Sequence, residues 1–287
     1  MPRIRVIDLE TDDDAIVEIG YTDLVATGTD LLGDPTLWDV EEGLSFLVNP
    51  GRPISPDSSG IHNIVDEDVA GAGSWAEAAE LVFRDNLASD IVAFAAHSVE
   101  HEQKMIEPVW TEGKPWVCTY KGAVRLWPEA PSHSNNALRY FRRPAGLDRR
   151  LAQPIHRAKP DSYITAFTLR DLLNEAPLTD LAKWTGEPAL LPRCKIGDFR
   201  NGGKGTPWSE VDDSMLYWII RKMSDDPTRE NEVHTARHLL EQREIDQRLE
   251  YERADFDRQL SANGMAESQP TASNPLVDQP NQEPLPL

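Results

Sequence analysis

RIRVIDLE, residues 3–10, is the stretch that decides the fold. Its pattern repeats at period two, which marks an extended strand and excludes a helix. Side chains two apart on a strand share a face, so Asp8 and Glu10 reach one small volume at its end. Two anions held together repel each other unless a cation lies between them. Hard oxygen ligands suit Mg²⁺ or Mn²⁺ and not zinc. A D-x-E pair at a strand end also fits plain solvation, so these two residues alone do not settle a function.

Outward from this strand, 15–27 (AIVEIGYTDLVAT) and 43–48 (GLSFLV) read as two more extended runs with short polar connectors. That predicts an antiparallel meander of three strands. A loop rich in Pro, Gly and Ser at 50–60 precedes a helical stretch at 75–87. The short apolar run 91–96 (IVAFAA) suits a buried central strand, and 116–120 offers another. Helical patterns follow at 134–141 and 161–175, the latter carrying Ile164, Phe167, Leu169, Leu172 and Leu173 at helix-compatible spacing. Strands first antiparallel, then alternating with helices, predict an α/β fold around a mixed sheet.

A second unit is expected from about Leu190. There a Gly-rich, locally basic segment (193–208) leads into a short amphipathic helix at 210–222 and an exposed, charge-dense helix at 229–260. The Pro/Gln/Asn/Ser-rich residues 261–287 cannot bury enough surface to fold and are expected to be disordered. The expected organisation is thus a domain over 1–178, a small C-terminal module over 190–260 and a tail over 261–287.

Composition narrows the class. The two cysteines, Cys118 and Cys194, form no CxxC or Cys/His pattern, so neither zinc nor a disulfide framework is expected. With no signal-peptide stretch and no run of membrane-spanning length, the expected place is the cytoplasm, with no membrane partner. The net charge of −20 opposes nucleic-acid binding, but it is unevenly spread. Between positions 121 and 159 nine basic residues face only Glu129 and Asp148, a local excess that would draw a phosphate chain. An ordinary solvated face explains such a run equally well.

Two later stretches carry further chemistry. The run 91–96 ends in His97-Ser98-Val99-Glu100-His101-Glu102, so carboxylates follow an apolar strand. Farther on, His156 stands five residues before Asp161, at the head of the helical run 161–175. Asp161 is placed for a first-turn or N-cap role there.

In ordered pieces the chain resembles the 3′→5′ exonucleases of the proofreading epsilon-subunit type, named for four acidic residues and a histidine (DEDDh). Within them it is similar to the exodeoxyribonuclease X branch. The pieces are VIDLET (6–11), RPISPDSSGIHNI (52–64), AFAAH (93–97), WVCTYKGAVRLWP (116–128) and HRAKPDSYITA (156–166). The resemblance implies a ribonuclease-H-like fold and two metal ions, Mg²⁺ or Mn²⁺. It implies Asp8, Glu10, Glu102 and Asp161 as metal ligands and His156 as the catalytic base. Thr11, Ile61 and His62 fall where members contact the terminal nucleotide, with His101 in the place of a stacking phenylalanine. Glu102 stands where the pattern has aspartate, and Glu100 is a substitute ligand if Glu102 faces away.

The resemblance implies release of 5′-mononucleotides from 3′ ends of DNA, single-stranded ends preferred. RNA as substrate is an alternative, as is an impaired protein that only binds DNA ends or a partner. Segment 195–220 is similar to a small module appended to exodeoxyribonuclease X-like proteins, and a replication or repair protein could dock through the C-terminal region, 193–260. In it Tyr217 and Trp218 are expected in the core, and Lys204 could touch phosphate.

Overall fold

The computed structural model describes residues 1–29 and 35–262. RIRVIDLE lies in strand β1 (Arg3–Asp12), in the middle of a six-stranded mixed sheet. Ile4 and Val6 enter the core on one face of the sheet, Ile7 and Leu9 on the other. Parity then puts Asp8 and Glu10 on the Ile4/Val6 face. Strand β2 (Ala15–Thr29) runs antiparallel to β1 and sets Gly20 opposite Asp8 and Glu18 opposite Glu10.

The expected three-strand meander needs correcting at its far edge. Both β3 (Pro35–Val40) and β4 (Leu44–Leu47) pair with β2, β3 along its Leu24–Thr29 half and β4 along Glu18–Tyr21. The run read at 43–48 is therefore the fourth strand. The third escaped notice because only Trp38 of its six residues is buried, which leaves no alternation to detect. On the other side of β1, β5 (Ile91–Ala96) and β6 (Trp116–Cys118) run parallel to it. The order β3-β2-β1-β5-β6, antiparallel then parallel, is a ribonuclease-H-like sheet.

Helices cover both faces. Between β4 and β5 lie α1 (Pro56–His62), α2 (Asp66–Val69) and α3 (Trp75–Phe83). Ala78, Ala79, Val82 and Phe83 of α3 pack on the Ile7/Leu9 face. Short helices α4 (Glu100–Met105) and α5 (Pro108–Thr111) separate β5 from β6. The strand expected at 116–120 stops at Cys118, because Thr119 turns its hydroxyl onto the Ala96 carbonyl (3.3 Å) and opens α6 (Thr119–Leu126). Then come α7 (Asn135–Arg142), α8 (Ala158–Leu173) and α9 (Leu178–Thr185). Within α8, Ile164, Phe167, Leu169 and Leu172 are buried, as their spacing predicted. Each such side chain contributes about 1.5–3 kcal/mol, far more than the propensity of an isolated helix.

After α9 the chain continues with a two-stranded ribbon of β7 (Arg193–Cys194) and β8 (Thr206–Pro207), then α10 (Asp213–Met223) and α11 (Glu230–Ala262). Contacts divide the chain after Arg237 and not near Leu190. Residues 190–237 share the first unit because Leu191 N–H donates to Thr235 and Arg125 pairs with Glu187 and His234. Tyr217 and Trp218, expected in the core, are 57% and 39% exposed. The buried stripe of α10 is Leu216 and Ile219, one turn apart, and the two aromatics fall beside it. The expected disordered tail at 261–287 lies outside the described residues save its first two positions, which end α11. No helix among the described residues is long and apolar enough to cross a membrane. Cys118 and Cys194 are both buried and free.

Candidate active site

The first turn of α8 lies directly on β2, and two features hold it there. Gly20 is the first: a β-carbon at that position would sit 2.3 Å from the Ala158 carbonyl carbon, so only glycine lets the helix backbone come so close. Glu18 is the second. Buried beneath the helix start, it accepts from Ala158 N–H (3.1 Å) and from both Arg157 Nε and Nη2 (2.8 and 3.1 Å). Its carboxylate thus satisfies an otherwise orphaned helix N–H and faces the positive end of the helix dipole. The helix begins at Ala158, three residues before the expected start. Pro160 is tolerated because first-turn N–H groups have no intrahelical acceptor. Asp161 therefore sits in the first turn and is not the cap.

This docking brings α8 against the end of β1. Among the described residues, Asp8, Glu10 and Asp161 each offer an oxygen within 4.8 Å of the others. Burial and the charges of Asp161, Glu102, Glu10 and Glu18 push the Asp8 carboxyl well above its ordinary range. Burial, Asp161 and Glu18 push Glu10 up to about 8, with Arg157 opposing. Asp161 is raised by burial, against the His156 backbone N–H that donates to it (2.9 Å) and the charges of His156 and Arg139. Three crowded carboxyls that resist ionisation are what a hard divalent cation would relieve.

Glu102 belongs to the same neighbourhood but not to the trio. It is buried on α4, burial raises it to about 8, and its Oε2 has no hydrogen-bond partner. Its charge reaches Asp8. An orphaned buried carboxylate oxygen is costly unless something absent here satisfies it. The cluster fits a divalent metal on that ground as well. Glu100, the substitute ligand considered from sequence, points away: it is exposed and paired with Lys121 at 2.9 Å.

The other singled-out residues surround this cluster unevenly. His156 is exposed, with left-handed backbone (φ 58°) that turns its N–H onto Asp161. Thr11 is half-buried just past a register shift at the end of β1. Ile61 is 62% exposed, whereas His62 beside it is buried. Its Nδ1 accepts from Ile64 N–H (3.1 Å), its Nε2 is unpartnered, and burial pushes its pKa down. His101 is exposed on α4 and is not one of the trio.

Several positioning residues went unnoticed in the sequence. Besides Glu18 and Gly20, buried Asp12 ties the end of β1 to the segment before α1. It accepts from Ser55 N–H (3.1 Å) and pairs with Arg52, and hydrogen bonds from Ser55 hold its carboxyl at about 2. Asn135 donates to the Asp161 carbonyl (3.1 Å). His97 bridges Thr119 and the His133 carbonyl, and burial lowers it to about 4, so it is a neutral strut. A charged residue inside the apolar run IVEIGY was the one available signal for Glu18.

The basic stretch turns out to be largely structural. Lys121 pairs with Glu100, Arg125 with Glu187, Arg142 with Glu175, Arg150 with Asp148, Arg157 with Glu18 and Lys159 with Glu42. Arg139 is buried and donates to the Ala152 carbonyl and Tyr140 hydroxyl. Arg143 and Arg149 are exposed and, among the described residues, neither pairs with a carboxylate, while Arg149 hydrogen-bonds the Tyr140 side chain.

A ribonuclease-H-like sheet with a partly buried carboxylate cluster at the end of its first strand defines a class that comparison narrows. No family model matches the chain. Exodeoxyribonuclease 10 of Escherichia coli (strain K12) is 32% identical to it over 247 residues, covering 83% of this chain and 99% of that protein. The same protein of Escherichia coli O6:H1 matches equally. The chain belongs to the exodeoxyribonuclease 10 family. Among solved structures, Exonuclease X in complex with 5′ overhanging duplex DNA is 30% identical (TM-score 0.47), covering 64% of this chain and 99% of that one. The nuclease domain of 3′hExo bound to rAMP, a DEDDh family member, is 15% identical (TM-score 0.46), covering 61% and 92%.

Proposed function

We propose that the protein is a divalent-metal-dependent 3′→5′ exodeoxyribonuclease that releases 5′-mononucleotides, preferring single-stranded 3′ ends. The observation that carries this is the convergence of Asp8, Glu10 and Asp161 within 4.8 Å, beside a buried Glu102 with an unsatisfied oxygen. These four carboxylates would hold Mg²⁺ or Mn²⁺, two ions in all. When bound, such ions supply a Lewis acid at the phosphate and lower the pKa of a nearby water.

The chain's own groups do the rest. His156, exposed beside Asp161, is the base that takes the water's proton, through an imidazole nitrogen. Its unusual backbone is held by its own hydrogen bond to Asp161, so base and metal ligand keep a fixed relation. The exposed apolar face of Ile61, with Thr11 and His62, bounds the place of the terminal nucleotide. Glu18 and Gly20 act at one remove by fixing where α8 starts. Retention of an intact, crowded trio speaks against a protein that has lost catalysis.

The test is product analysis. Incubated with single-stranded DNA and Mg²⁺ or Mn²⁺, the protein should release mononucleotides bearing a 5′-phosphate, none in chelator, and Asp8→Asn should release less than a thousandth as much. Undiminished release by Asp8→Asn would overturn the assignment, and release from RNA alone would transfer it to that substrate.

A further inference from the structure

Arg143 and Arg149 converge, Arg149 with a hydrogen bond to the Tyr140 side chain. Arg139, Tyr140, Arg143, Pro144, Leu147 and Arg149 line one pocket of about 280 Å³, outside the carboxylate cluster. Its walls are fixed. Arg139 lies over the Tyr140 ring (4.6 Å) and donates to the Tyr140 hydroxyl (2.8 Å) and the Ala152 carbonyl (2.7 Å). Asp148 N–H donates to the Tyr163 hydroxyl of α8 (3.2 Å). Arg143, in left-handed backbone (φ 51°) as the cap of α7, is turned out of the helix, and its N–H closes on the Arg139 carbonyl.

The pocket is tied to the active site by the same elements. Helix α7 begins with Asn135, which donates to the Asp161 carbonyl, and the Arg139 charge is felt at Asp161. In a chain of net charge −20, two exposed guanidinium groups on one preformed pocket beside the metal-ligand helix are a localised attraction for a polyanion.

We propose that Arg143 and Arg149 clamp a backbone phosphate of the substrate strand, away from the bond being cut. This rests on the exonuclease reading and adds to it a second anchor that holds the strand. Arg150 is excluded from that role, since Asp148 already holds it at 2.7 Å. Each single-strand phosphate contact steepens the fall of log affinity with log salt by about 0.7. Over the decade from 1 M to 0.1 M salt one such contact is worth roughly 5-fold.

The experiment uses the full chain in the Asp8→Asn background with Mg²⁺, so that the strand is held and not degraded. Binding of a fluorescent 12-nucleotide single strand is followed by anisotropy across salt concentrations. Adding Arg143→Ala and Arg149→Ala together should flatten the slope by about 0.7 and weaken binding roughly 5-fold at 0.1 M salt. Arg150→Ala should leave the slope unchanged, and the melting temperatures should agree. In the cleaving protein the double variant should raise KM and spare kcat. An unchanged slope in the double variant would overturn the clamp, as would an equal effect of Arg150→Ala. A loss seen for a 5′-mononucleotide as well as for the strand would overturn it in favour of a product site. If the wild type neither bound nor trimmed DNA, the exonuclease reading itself would fall, and the clamp with it.

Discussion

Glu102 shows how one residue can be destabilising by design. Burial raises its carboxyl to about 8, and Glu10 stands at about 8 for the same first cause with Asp161 added. A carboxyl whose folded pKa lies above the unfolded value binds more protons when folded. Its stabilising contribution is complete below the unfolded pKa, near 4.5, and is lost as pH rises through 8. The metal-free protein should therefore melt at progressively lower temperature from pH 5 to pH 8. Glu102→Gln should flatten that decline, and Mg²⁺ or Mn²⁺ should reverse it in the wild type. Calorimetric melts in chelator across that range decide the matter: parallel curves for wild type and Glu102→Gln would mean that Glu102 carries no such strain.

Among the elements, β1 and α8 carry the site, and each can be tested separately. On the far face of β1, buried Arg5 is held by Asp23 (2.8 and 2.7 Å) and Asp85 (3.0 Å) and lies over the Tyr21 ring. Arg5→Ala leaves the buried Asp23 carboxylate with only the longer Arg3 contact (3.5 Å) and should cost about 3 kcal/mol in urea unfolding. A cost under 1 kcal/mol would show that water reaches this pair. Gly20→Ala drives a methyl group into the α8 backbone. It should cost about 1–3 kcal/mol and lower kcat at least tenfold by displacing Asp161, with KM less affected. By contrast Gly60, inside α1 with nothing within 4 Å of a β-carbon, should accept alanine with a gain of about 0.5–1 kcal/mol. Wild-type kcat in Gly20→Ala would detach the helix position from the chemistry.

The legible part of the fold follows from the same contrast. Strand β1, its parity and the apolar stripe of α8 were readable because periodicity is local. Asp8, Glu10 and Asp161 were found from motif and resemblance, and the structure brings these three together. Glu18 and Gly20 were not, because their meaning depends on the β1–β2 register, which shifts at Glu10/Thr11. Nor could the sequence reveal the acids that neutralise the basic run, since Arg157 finds Glu18 and Lys159 finds Glu42 only after folding.

For the whole molecule the governing fact is a net charge of −20, carried by a protein proposed to grip a polyanion. Nine basic residues between positions 121 and 159 suggest a broad attractive face, but ion pairing of six and burial of Arg139 leave Arg143 and Arg149 to supply it. Attraction is therefore local, at the carboxylate cluster once a cation is bound and at the Arg143/Arg149 pocket. Trimming should accordingly depend strongly on metal and weaken sharply with salt. The most direct measurement is a time course on a 5′-labelled single-stranded oligonucleotide with Mg²⁺ or Mn²⁺, wild type beside Asp8→Asn. A ladder of labelled products shortening from the 3′ end, abolished in Asp8→Asn, is the predicted result. An intact oligonucleotide with both metals, or immediate release of labelled mononucleotide from the 5′ end, would contradict it.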